Sequence, residues 1–394
     1  MYKSIAKIFS SHIIVKALGL FTVAITLKFF SVQEFGSYSF ALLLLHLIGS
    51  IVDPFLSAHL TDIKMFDYRK YNFGSLVFTL LLLPIFYTLM QYFNGTITPL
   101  LFLVFSCTYI LSASLKSYLN VRERYYQYGS VDVLRQLSVF SSTIIFFYVL
   151  NKTNFIELLE FSYSISAIVM ALIFFIYIRK DEIKFTFNRQ PLKNITSGSG
   201  FLILYLSIVP LISVVDSFFV EKYLTEIDLG LYSFSIKVYT ISMMLIVPIF
   251  TVLNLKQIEV AKQKSYSSFL EKNVKKVSLY AVVFISLFVL ANWLIVEYVF
   301  IEYQASLFNT IILLSAAFIG YLSMPFSFLI ASRKYTLLFL LAITAILASF
   351  CINYLFIQEY GTVVAALSTL ISQIIINLGA AITSYFLFYK KDIV

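Results

Sequence analysis

The chain has 394 residues, 60% of them hydrophobic and only 12% charged, with a mean hydropathy of +0.90 and a net charge of +9. A soluble globular domain carries roughly a quarter charged residues, so this composition excludes one and points to the membrane. The positive charge calls for no nucleic-acid partner, because anionic lipid at an inner leaflet attracts Lys and Arg just as well.

Twelve apolar segments follow one another along the chain: 11–30, 37–56, 74–93, 97–118, 130–150, 157–178, 199–221, 229–252, 277–299, 305–331, 335–357 and 360–388. Each approaches the roughly 20 residues that cross a hydrocarbon core of about 30 Å as a helix. Runs such as LVFTLLLLPIFYTLM and AVVFISLFVLANWLIV are continuously apolar rather than alternating, which predicts helices and not a barrel. The opening MYKSIAKIFSSHIIVKALG is basic, is interrupted by Lys16 and has no small-residue cleavage site after it. It reads as a retained first helix, not a cleaved signal.

Most of the 29 Lys and Arg fall on alternate connections, among them Lys64, Arg69, Lys116, Arg122, Arg124, Arg135, Arg179 and six lysines within 253–276. The positive-inside rule then places both termini in the cytoplasm. The lysine-rich 253–276 loop is explained by anionic lipid without a docking partner.

One phrase occurs twice. KFFSVQEFGSYSF at 28–40 returns as KYLTEIDLGLYSF at 222–234, a shift of 194 that is close to half the chain and that also superposes Pro54 on Pro248. The expected fold is therefore all-α and integral to the membrane, with about twelve transmembrane helices in two six-helix lobes. Six is even, so both lobes enter from the same side and their pseudo-two-fold axis runs along the membrane normal, as in transporters that rock one half against the other. The expected boundaries are 1–178 for the first lobe, 179–198 for a polar cytoplasmic linker and 199–394 for the second lobe. Within the phrase, Ser31 and Thr225 have the chemistry of N-caps, Glu34 and Asp228 complete capping boxes, and Gly36 and Gly230 permit close packing as the next helix begins. Pro54 and Pro248 lie inside helical segments, where each favours a kink.

An acid, an aromatic residue or Leu, and Gly-x-Tyr-Ser at both turns, in a basic twelve-helix chain, resembles the O-antigen and polysaccharide flippases. These form the polysaccharide transporter branch of the multidrug, oligosaccharidyl-lipid and polysaccharide exporter superfamily. YLNVRERYYQYGSVDVLRQL at 118–137 is similar to that family's basic stretch between helices four and five, and LISVVDSFFV carries Asp216 where the family commonly has an aspartate. The resemblance implies movement of an undecaprenyl-diphosphate-linked oligosaccharide repeat unit from the cytoplasmic to the periplasmic leaflet of a bacterial inner membrane. It implies alternating access, no bond made or broken, and a lipid-linked oligosaccharide and membrane lipid as partners. A polymerase of the same pathway is a candidate partner.

Charge within a membrane is costly and marks candidate function. The residues concerned are Lys16, His46, Asp53, Arg135, Asp216 and Lys237. Lys16, Arg135 and Lys237 are candidates to receive the diphosphate, since ammonium and guanidinium groups donate charge-assisted hydrogen bonds to phosphate oxygens. Asp216, His46 and Asp53 are candidates for coupling to H⁺ or Na⁺; no other cofactor and no bound metal is expected. Lys16 and His46 fall at similar depths, roughly 18 and 15 Å from the outer ends of their helices at 1.5 Å per residue.

Each residue also has a structural reading. Lys16 or Lys237 can snorkel to a headgroup, and His46 can be a hydrogen-bonded interior histidine. Asp216 and Lys237 can pair statically between helices, and Asp132 can pair with Arg135 along one helix. The 28 Tyr and 41 Phe fit aromatic belts and single out no sugar platform. Cys107 and Cys351 sit in apolar segments, there is no P-loop, and no enzyme is expected. Two other classes compete with the flippase: a cation-coupled drug antiporter on the same fold, and a membrane glycan polymerase, which the short, arginine-free outer connections disfavour.

Overall fold

The computed structural model of the protein describes residues 2–61, 70–93, 95–121, 124–181, 184–186, 200–243, 266–322, 329 and 334–389. Helices dominate: α1 (Tyr2–Phe29), α2 (Val32–Thr61), α3 (Phe73–Phe93), α4 (Pro99–Val121), α5 (Tyr125–Ile144) and α6 (Phe155–Asp181) come first. After them come α7 (Gly200–Ile208), α8 (Leu211–Tyr223), α9 (226–243), α10 (Tyr266–Tyr298), α11 (Leu307–Tyr321), α12 (Tyr335–Tyr360) and α13 (Thr362–Ser384). Among the described residues, eight helical spans are long and apolar enough to cross a membrane. The protein is thus a predominantly helical, multi-pass membrane protein. A small addition is a ladder in which β1 (Lys70–Asn72) pairs in parallel with β2 (Lys184–Thr186), Tyr71 opposite Phe185.

The chain divides into two compact units, Met1–Ser207 and Ile208–Val394. Most of the linker expected at 179–198 lies outside the described residues, as do Pro248 and much of the basic sequence that argued for orientation, including 62–69, 187–199 and 244–265. α2 continues through Asp53 and Pro54, whose side chains are also outside the description.

Within the first unit α1 packs on α5, α5 on α6, and α4 on both α2 and α6. Within the second unit α8 packs on α12, α12 on α13, and α11 on α13. α9 is tied to α11 where Thr310 Oγ1 donates to Ser235 Oγ at 3.0 Å. Counted as successive membrane segments, first meets fifth, fifth meets sixth, and fourth meets both second and sixth in each unit. The repeated phrase in the sequence is therefore matched by repeated packing.

The phrase itself forms two capping boxes. At the start of α2 the Ser31 backbone N–H donates to Glu34 Oε2 at 2.9 Å, and the Glu34 N–H donates back to Ser31 Oγ at 3.3 Å. Before α9 the Thr225 N–H donates to Asp228 Oδ2 at 3.1 Å and the Asp228 N–H to Thr225 Oγ1 at 3.2 Å. Each box satisfies two N–H groups that the first turn of a helix leaves unpaired. Gly36 and Gly230 are both buried one turn further on, as are Tyr38, Phe40, Tyr232 and Phe234.

The seventh apolar segment departs from expectation. It is not one helix: it stops at Ile208, and α8 begins after Pro210, which stands at its N-cap. Proline lacks the N–H that would bond back into the preceding turn, and its ring clashes with that turn's carbonyl. The interruption places Asp216 on the thirteen residues of α8 that follow the proline, within a span of membrane length at Leu204–Tyr223.

α12 shows how membrane packing inverts the soluble pattern. Ala345, Ser349 and Asn353 are buried while Leu347 and Leu355 on the same helix are exposed, which leaves apolar side chains for lipid and small or polar ones for neighbouring helices. α12 turns into α13 at Gly361, whose φ of 65° and ψ of −149° fall in a region essentially reserved for glycine. A Cβ there would meet no atom within 4 Å, so the constraint is backbone strain and not space. Gly361→Ala is expected to lower stability by about 1–3 kcal/mol, read as a fall in the thermal unfolding midpoint of the detergent-purified protein. An unchanged midpoint would show that the turn relaxes.

Candidate functional site

The first unit assembles its charges on α1, α4 and α5. Lys116, five residues before the end of α4, sets Nζ 2.9 Å from Asp132 Oδ2. Arg135, one turn along α5, brings a guanidinium nitrogen 3.3 Å from Asp132 Oδ1. Both carboxylate oxygens are thus engaged by cations, and Asp132 is only 6% exposed. Lys16 on α1 is half-buried and feels the charges of Asp132, Arg135 and Lys116. Among the described residues the cluster holds three cations about one acid.

Aromatic rings carry this cluster towards α2. The Arg135 guanidinium carbon lies 4.5 Å from the centroid of the Tyr109 ring, a cation–π distance, and Arg135 also donates to Ser112 Oγ at 3.4 Å. Lys116 stands 5.1 Å from the Tyr128 ring. His46 on α2 meets Tyr109 edge to face at 5.7 Å between centroids, and its Nδ1 is 2.6 Å from the Leu42 carbonyl oxygen. A carbonyl only accepts, so Nδ1 carries the hydrogen. Gly49 makes room for the ring: a Cβ there would lie 2.6 Å from Tyr109 Cδ1.

The second unit holds the opposite kind of centre. Asp216 on α8 is fully buried. Its Oδ1 accepts from Ser349 Oγ at 2.6 Å, Asn353 Nδ2 at 2.7 Å and Ser368 Oγ at 2.5 Å, and Oδ2 accepts from Thr369 Oγ1. Two helices therefore converge on the carboxylate of a third, which among the described residues receives four neutral donors and no cation. Ser349 and Asn353 reach it because they are four residues apart on α12 and so share one face, and Ser368 and Thr369 lie just past the Gly361 turn. Asn353 Oδ1 is buried with no hydrogen-bond partner. Tyr232 and Tyr239 on α9 lie within electrostatic range of Asp216.

The sequence-derived candidates thus separate. Lys16 and Arg135 share the first cluster, and His46 joins it through Tyr109. Asp216 does not pair with Lys237: its oxygens are taken by hydroxyl and amide donors from α12 and α13. Lys237 on α9 is half-buried and makes no hydrogen bond or ion pair among the described residues. Asp132 and Arg135 do meet along α5, as one reading of the sequence had it, but with Lys116 as a third member. Asp53 cannot be placed because its side chain lies outside the description. Sequence reasoning counted Lys116 only as inner-face charge, and it passed over Tyr109, Ser349, Asn353, Ser368 and Thr369. The polar pair four residues apart in an otherwise apolar segment was the available signal for α12.

No protein-family model and no curated relative matches the sequence. Solved structures do match in fold. An outward-facing multidrug-resistance MATE family transporter of the MOP superfamily is 14% identical, with a TM-score of 0.65 over 99% of this chain and 95% of that one. A MOP superfamily transporter from Pyrococcus furiosus, described as having a binding pocket of reverse polarity that suggests a different function, gives the same identity, TM-score and coverages. A MATE transporter from Vibrio cholerae is 13% identical, with a TM-score of 0.60 over 99% and 96%. The class is defined by fold: an all-α membrane chain in two compact units, with the fold that these MATE structures have.

Asp216→Ala would strand four buried donors at once. It is expected to cost about 3 kcal/mol or more, since each unsatisfied buried polar group costs about 1–3 kcal/mol. The check is the unfolding midpoint in detergent, with Asp216→Asn as the same-shape comparison. A midpoint equal to that of the unsubstituted protein would contradict the bonding described.

Proposed function

We propose that the protein is a flippase that carries an undecaprenyl-diphosphate-linked oligosaccharide repeat unit, of O-antigen or capsule type, from the cytoplasmic to the periplasmic leaflet of a bacterial inner membrane. The observation that carries this reading is the first unit's cluster of Lys16, Lys116 and Arg135 about the single acid Asp132. Partly buried cations in excess of acids suit an anionic headgroup, because such donors form charge-assisted hydrogen bonds with phosphate oxygens, and a cationic drug would be repelled. Lys237 adds a further candidate donor from α9. The transporter fold, the doubled six-segment packing and the resemblance of the 28–40 and 222–234 phrases to polysaccharide flippases support alternating access.

Asp216 is the coupling centre in this reading. Its carboxylate, the hydroxyl oxygens of Ser349, Ser368 and Thr369, and the unpartnered Asn353 Oδ1 offer a set of hard oxygen donors suited to H⁺ or Na⁺. Both termini are cytoplasmic on the charge distribution of the connections. The cycle makes and breaks no bond in the cargo.

A second reading has one observation in its favour. MATE transporters of the MOP superfamily share the fold, so a cation-coupled drug antiporter is the alternative. Deleting the gene and returning it on a plasmid decides between them. The flippase reading expects loss of surface glycan on deletion, with completed lipid-linked repeat units held in the cytoplasmic leaflet, and recovery of both on complementation. Intact glycan with raised sensitivity to cationic drugs would overturn it in favour of the antiporter, and single repeats reaching the periplasm would indicate a polymerase.

A further inference from the structure

The acid of the first-unit cluster has no obvious place in a site for an anion. Asp132 could simply neutralise its neighbours, yet its placement is more particular. Oδ2 takes Lys116 at 2.9 Å and Oδ1 takes Arg135 at 3.3 Å, and these are the donors that a phosphate would use. The side chains of Lys116, Arg135 and Asp132 are 15%, 17% and 9% exposed, so the cations are neither sealed off nor free in water. Arg135 keeps contacts that do not involve the acid, the Tyr109 ring at 4.5 Å and Ser112 Oγ at 3.4 Å, and Lys116 keeps the Tyr128 ring. Both cations therefore stay positioned when the carboxylate lets go of them.

We propose that Asp132 is an internal stand-in for the anionic headgroup: its carboxylate occupies Lys116 and Arg135 when cargo is absent and gives them up to the phosphates when cargo binds. This rests on the flippase reading and adds how the site is regulated. Two opposing requirements explain the arrangement. Cations this far from water are strongly disfavoured without a counter-charge, so an empty site needs an anion of its own. A site with three unopposed cations would also hold a two-charge diphosphate too tightly to release it. Competition from within the chain answers both, because the apparent dissociation constant rises as the fraction of sites with free donors falls. On departure of the cargo the carboxylate returns and assists release. Asp132 is a positioning residue in this scheme and does not itself contact cargo.

The test uses the purified full-length protein and a farnesyl-diphospho-N-acetylglucosamine diester, which carries the two phosphate charges on a short lipid. Asp132→Asn keeps the shape and one acceptor oxygen but removes the charge. It is expected to bind the probe about tenfold more tightly, the worth of roughly one charge-assisted hydrogen bond, and in liposomes to lower both KM and kcat because release slows. Asp132→Glu is expected to restore values close to the original, and Lys116→Met to weaken binding. A purely structural acid predicts the opposite sign, weaker binding in Asp132→Asn, and that result, or unchanged affinity, would overturn the inference while leaving the flippase reading in place. Failure of the unsubstituted protein to bind the probe at all would overturn both. Should Asp132→Asn not accumulate in the membrane, infrared difference spectra of the unsubstituted protein give an independent reading. Probe binding should shift a carboxylate band that Asp132→Glu moves; absence of any such band rules the exchange out.

Discussion

A charged group taken into an apolar helix bundle has to be matched by the protein itself, and both interiors of this molecule are organised by that requirement. In the first unit the match is made with opposite charge, Lys116 and Arg135 sharing Asp132. In the second it is made with neutral dipoles, four side-chain donors converging on Asp216. The choice has a functional consequence. Ion pairs can exchange partners with an incoming anion; in the proposed cycle the carboxylate held by hydroxyl and amide groups is the one that answers to a small cation.

Around these interiors the repeat supplies a common frame. Several of the same pairs of segments pack in both units, and the same capping box opens the second segment of each. The filling differs: 194 positions before Asp216 stands Thr22, a buried hydroxyl that among the described residues bonds only to its own helix, at the Leu18 carbonyl. The frame is thus duplicated while the chemistry is divided, an ion-paired cluster in one unit and a carboxylate held by neutral donors in the other.

Much of the frame was legible in the sequence because it depends on local rules. Apolar runs of membrane length fix the helices, and Ser31, Glu34, Thr225 and Asp228 announce their boxes by spacing alone. Pro210 carried an equally local signal, yet an apolar segment of full length masked it, and the helix break is a finding of the structure. The sites were legible only in part. Lys16, Arg135 and Asp216 stand out as charges in apolar surroundings, but partners such as Lys116, Tyr109, Asn353 and Thr369 come from helices far away in the chain. Nothing in their own neighbourhoods says which carboxylate or guanidinium they will meet. One reading of the sequence, a static pair of Asp216 with Lys237, does not hold for this reason: the hydroxyl-bearing faces of α12 and α13 took the carboxylate instead.

The central claim is that one unit receives an anion while the other answers to a cation. The most direct measurement is movement of a fluorescent lipid-diphosphate-linked sugar across liposomes containing the purified protein, with an imposed Na⁺ or H⁺ gradient. The account predicts gradient-accelerated movement, loss of all movement when Lys16 and Lys116 are both replaced by Met, and gradient-independent movement in Asp216→Asn. Undiminished movement without the two lysines, or faster export of a cationic dye than of the diphosphate lipid, would contradict it.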